Sequence, residues 1–119
     1  MNNVADLLLH FLNQSKMLHW QTKSYAQHQA YGMFYDGFSD LVDEFVEVMM
    51  GKYGRVSTKG AIKLANYKDI SAEDFVNHLD HFLIGLTEVF GGEDDTDLLN
   101  IRDEMLGLSN KLKYLLTLT

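Results

Sequence analysis

The chain has 119 residues, enough for one domain with a single core and too few for two. Its 17 acidic residues outnumber 10 basic ones, and a net charge of −7 repels phosphate backbones, so no nucleic-acid partner is expected without a local basic patch. Cysteine is absent, which excludes disulfides, iron–sulfur clusters and thiol catalysis and leaves nitrogen and oxygen as the metal-ligating atoms.

No proline and no glycine- and serine-rich stretch divides the chain, so residues 1–119 read as one domain. The longest apolar run, Leu7-Leu8-Leu9, is far too short to span a bilayer, so no membrane partner is expected. The N-terminus lacks a basic region ahead of an apolar core, so no secretory signal is read and the cytoplasm is the expected compartment.

Val4, Leu7, Leu8, Phe11, Leu12 and Leu18 recur at three- and four-residue steps and predict a first helix from about residue 3 to 22. Trp20 points away from that stripe, a placement that favours burial at a subunit contact. Ser24 is the expected N-cap of a second helix, which buries Tyr31, Phe34, Tyr35, Phe38, Leu41, Phe45 and Met49 and ends near Gly51. Residues 52–70 lack a long helical period. They hold half of the basic residues (Lys52, Arg55, Lys59, Lys63 and Lys68) and an apolar patch at Ile62, Leu64 and Ala65 that suggests one short helix. Ser71 and Asp74 read as a capping box for a third helix with core positions Phe75, Leu79, Phe82, Leu86 and Phe90, stopped by Gly91-Gly92. Asp94, Asp95 and Asp97 precede a fourth helix whose seam is Leu98, Ile101, Met105, Leu108, Leu112 and Leu115.

Connection lengths set the expected topology. Short turns join helices one to two and three to four, so each pair is antiparallel. A join of about 20 residues can run the length of the molecule. Two antiparallel hairpins with one long crossover is the ferritin-like four-helix bundle.

The chemistry concentrates between His19 and Glu47. At 100° per residue, Asp36, Asp40, Asp43, Glu44 and Glu47 lie almost opposite the apolar side of the second helix, with His28 near Asp43 and Glu47. This face is either solvated or meets another subunit and collects a cation that relieves the mutual repulsion. His19, at the edge of the first apolar stripe, lies across a short turn from His28. Helix three offers a weaker set, Asp74, His78, His81 and Glu88, with no matching carboxylate motif on helix four. Ser15 and His19, one turn apart, are too common a pair to mark a nucleophile and base.

Leu18-His19-Trp20, His28, and the Asp43–Glu47 pair resemble the Dps-like branch of the ferritin superfamily. That family has an aspartate fifteen and a glutamate nineteen residues after its helix-two histidine, and Asp43 and Glu47 stand at those intervals from His28. Residues 23–55 look like short Dps-like proteins encoded by phages, for which the compartment is the host cytoplasm. The resemblance implies an iron site between two subunits of a homodimer or larger homo-oligomer. His19 and His28 would come from one subunit and Asp43 and Glu47 from the other, with ferroxidase activity toward iron(II) and storage of the product. Manganese or zinc would suit the same donors.

Three departures mark this sequence. The histidines are nine residues apart where the family has twelve. Gly32 stands where the family has an aspartate, so either that ligand is missing or Asp36, one turn on, substitutes for it. The lysine-rich tail that coats DNA is missing. They support a rival expectation, a non-catalytic helical oligomer or adaptor that has lost the metal site.

Overall fold

The computed structural model describes residues 3–118, and these form four α-helices and no strand. They are α1 (Val4–Gln21), α2 (Tyr25–Tyr53), α3 (Ala72–Val89) and α4 (Thr96–Leu116). The local signals acted where expected. The Ser24 hydroxyl accepts from the Gln27 N–H at 3.2 Å and the Ser71 hydroxyl from the Asp74 N–H at 3.0 Å, each satisfying an otherwise unpaired N-terminal donor.

The expected end of α2 near Gly51 holds to within two residues, and one local expectation is corrected. Helix α2 passes through Gly51 and stops at Tyr53, because Gly54 adopts φ = 92°, a conformation that a side chain disfavours. Ile62, Leu64 and Ala65 form no helix; the one helical turn in the connection is a 3-10 turn at Tyr67–Asp69. The reason is tertiary. The Gln14 amide accepts from the Ala65 N–H at 2.7 Å and donates to the Ala65 carbonyl at 2.9 Å, so both main-chain groups are paired with α1 instead of with helical neighbours.

The connection runs along α1 from its start to its end. Asp6 accepts from the Thr58 hydroxyl and the Lys59 N–H, His10 hydrogen-bonds the Lys63 main chain, and the Gln21 side-chain Oε1 accepts from the Tyr67 N–H. Asp6, His10, Gln14 and Gln21 form a polar stripe on α1 that grips the connection. This path returns the chain to the end where α2 began, so α3 runs in the same direction as α2. Helix α4 then runs back against α2, with the Leu108 side chain over Gly37.

One core joins all four helices, built around Leu8, Leu18, Tyr31, Phe38, Phe45, Phe75, Leu79, Leu83, Leu98 and Met105. Phe75 meets Phe11, Tyr31 and Phe34 edge-on, and Phe45 meets Phe90 likewise. Leu7, expected in the core stripe, is 41% exposed and borders an open groove between α1 and α3 with Phe82, Leu86 and Val89. Buried Arg102 ties α4 to α3 by donating to the Leu83 carbonyl at 2.9 Å and the Thr87 hydroxyl at 2.8 Å. At the far end, Lys52 pairs with Asp97 at 3.0 Å and the Tyr53 hydroxyl donates to Asp95, fastening α2 to the start of α4. No helix among the described residues is long and apolar enough to cross a membrane.

Candidate metal centre

Residues 22–24 form the turn that brings the end of α1 against the start of α2, and the two histidines meet across it. Their rings stack with centroids 3.8 Å apart and planes 16° from parallel. Nδ1 of His19 lies 2.6 Å from the His28 carbonyl, and Nδ1 of His28 lies 2.8 Å from the His19 carbonyl. A carbonyl can only accept, so each Nδ1 carries a proton and donates, and Nε2 is the ring nitrogen left for another partner. Each histidine thus ties its ring to the other's main chain, and together they clasp the hairpin.

The clasp explains Gly32. A Cβ at residue 32 would stand 2.9 Å from His19 Cε1 and 3.1 Å from its Nδ1. The ring is held by its hydrogen bond and by stacking, so it cannot swing away at small cost. Glycine makes the space in which His19 packs, and an aspartate there would displace the ring. The position where the resemblance calls for a ligand is thus filled by a neighbouring imidazole.

Asp36, Asp43 and Glu47 occupy the exposed side of α2 with Asp40 and Glu44. None of the five makes an ion pair or hydrogen bond among the described residues. At 1.5 Å per residue, Asp43 lies about 22 Å along the helix from His28, so one protomer cannot bring the acids to its own histidines. The described residues contain no group of three or more His, Asp or Glu side chains able to hold an ion. Nor can the two imidazoles chelate one ion together. A metal sits in the plane of the ring that binds it, at about 2.1 Å, and two stacked, nearly parallel planes do not meet within that distance. Each imidazole could bind only its own ion, and the remaining ligands would have to come from a second copy.

The other sequence candidates fall apart on inspection of their neighbours. Ser15 is fully buried and donates to the Leu12 carbonyl at 2.7 Å, so it is no nucleophile. Asp74, His78, His81 and Glu88 are all exposed on α3, and His78 acts instead on His10 across the α1–α3 seam. Trp20 is 64% exposed, with Lys16 Nζ 5.8 Å from the centre of its ring. Sequence reasoning missed the gripping role of Gln14. Its signal was present, since Asp6, His10, Gln14 and Gln21 recur at helical spacing beside the apolar stripe.

The profile of a family of unknown function (DUF5856) matches residues 19–116. An uncharacterized 14.6 kDa protein from the mobD–ri intergenic region of Enterobacteria phage T4 is 31% identical over 103 residues, covering 84% of this chain and 74% of the relative. No solved structure matches the chain.

Proposed function

The chain belongs to the DUF5856 family, and from that premise we propose that it is a ferritin-like four-helix bundle serving as a non-catalytic binding module, its histidine pair a structural clasp. The order of the hairpins and the crossover along α1 support the ferritin-like, Dps-like plan. The observation that carries the loss of ferroxidase chemistry is the His19 ring resting 2.9 Å from where a side chain at Gly32 would begin. The phage origin of the relative supports the host cytoplasm as the place of action.

A second reading is favoured by one specific feature. Histidines that bind metal almost always donate their other ring N–H to a carbonyl or carboxylate, and both imidazoles here do so. With Asp43 and Glu47 of another copy against them, His19 and His28 would each bind iron(II) through its own Nε2, as a substrate for oxidation. Imidazole and carboxylate donors suit iron, manganese or zinc. That reading carries self-association with it, as a homodimer or larger homo-oligomer, because one protomer lacks a convergent ligand set.

Anaerobic iron(II) titration, with mass measured by light scattering, separates the two. The module reading expects no saturable binding and identical traces for wild type and Glu47→Ala. Saturation at a fixed stoichiometry, lost in Glu47→Ala, overturns it in favour of the inter-copy site. Glu47 is exposed and unpaired, so its replacement leaves the fold intact.

A further inference from the structure

We propose that the tip of the α1–α2 hairpin binds single-stranded nucleic acid, stacking bases on Tyr25 and Trp20 and pairing phosphates with Lys23 and Lys68. The inference goes beyond the module reading by naming a ligand, and it does not depend on iron.

The net charge conceals how the charge is distributed. Between Asp6 and Asp36 the chain contains no acidic residue, although it has 17 in all, and the same stretch holds Lys16, Lys23 and three histidines. Folding brings a further lysine to this end. Because the connection travels the length of α1, it delivers Asn66, Tyr67 and Lys68 to the hairpin tip, where they line a shallow groove of about 380 Å³ with Gln21 and Lys23. Neither Lys23 nor Lys68 makes an ion pair or hydrogen bond among the described residues. The lysines of the groove are Lys23 and Lys68; Asp69 adjoins Lys68 in the chain, and Glu73 and Asp74 open α3 at the same end of the bundle.

The rings at the tip are placed for stacking. His19 and His28 form a column with centroids 3.8 Å apart, and Tyr25 continues it at 6.2 Å from His28 with a 30° tilt. Tyr25 is 74% exposed, and Trp20, in the last turn of α1, is 64% exposed. Exposed flat rings beside unpaired lysines are the means by which proteins hold unpaired bases and their phosphates without reading sequence. A duplex offers no free base faces to such a platform, so the single strand is the form that fits. The acidic stripe of a second copy could satisfy the lysines, but its five acids offer no aromatic ring to stack on Tyr25.

Trp20 is the only tryptophan, so intrinsic fluorescence reports on the tip alone. Titration with a twelve-residue oligothymidylate at low salt should quench it saturably. The logarithm of the binding constant should fall with the logarithm of salt at a slope of about −0.7 per phosphate paired. Lys23→Ala/Lys68→Ala should flatten that slope, and Tyr25→Ala should weaken binding roughly ten-fold or more. Circular dichroism checks that each variant is folded; all three positions lie on the surface. No quenching at millimolar oligonucleotide, equal quenching by a duplex, or a slope indifferent to the two lysines would each overturn the proposal. A Trp20 already shielded from acrylamide in a stable oligomer would overturn it too, and would assign the tip to a second copy.

Discussion

The His19 ring occupies the space that a side chain on Gly32 would need, with 2.9 Å separating its Cε1 from the Cβ position. Gly32→Ala therefore has two opposed effects. Alanine gains about 1 kcal/mol of helix propensity, while forcing a clamped ring aside costs about 1–3 kcal/mol. The expected net is a loss of stability, read from urea unfolding. Gly107 is the control: it lies within α4 and a Cβ there meets nothing within 4 Å. Gly107→Ala should stabilise by about 0.5–1 kcal/mol. If both substitutions stabilise, the clasp is loose.

Gln14, 1% exposed, holds both main-chain groups of Ala65. Gln14→Ala leaves those groups to find water, at about 1–3 kcal/mol for each that stays buried. The connection should then detach before the helices melt. Limited trypsin digestion reads this directly, with faster cleavage after Lys59, Lys63 or Lys68 and little change in helicity. Cleavage at the wild-type rate would show that the other rungs suffice.

Burial holds the His10 imidazole below its ordinary value of 6.5, outweighing the bond to the Lys63 main chain that acts in the opposite sense; nearby His78 adds to the lowering. The folded protein then binds fewer protons than the unfolded chain, so stability rises with pH across that range. His10's contribution is complete above 6.5 and is lost as pH falls through its lowered folded value. The urea midpoint should drop between about pH 7 and 5, and His10→Gln should flatten that drop. At lower pH Asp6 follows. The Lys59 N–H and then the Thr58 hydroxyl hold its carboxyl below 3.8, so its grip is present above that value and lost beneath its folded one.

The Tyr31 hydroxyl is buried without a hydrogen-bond partner among the described residues, and desolvation pushes its ionisation up to about 12. An orphaned hydroxyl costs about 1–3 kcal/mol. Tyr31→Phe keeps the ring against Phe75 and removes only that group. Stability equal to wild type or higher by about 1 kcal/mol is expected. A loss above about 1 kcal/mol would mean that an internal water pairs with the phenol.

The helices were legible because their signals are local. A cap such as Ser24 or Ser71 reaches three residues along its own helix, and an apolar stripe repeats within two turns, so both can be counted along the chain. The acidic face of α2 followed from the same arithmetic. The sequence alone therefore determined four helices, their order, and which side of α2 is charged. What the histidines do was decided elsewhere. His19 and His28 are nine residues apart on different helices, and only the packing of the hairpin turns each ring toward the other's carbonyl and makes glycine necessary at position 32. Gln14 meets Ala65, and Lys68 joins Lys23, across still longer separations. Contacts of that span exist only after the core has closed, because burial of the apolar stripes sets where the polar side chains can reach.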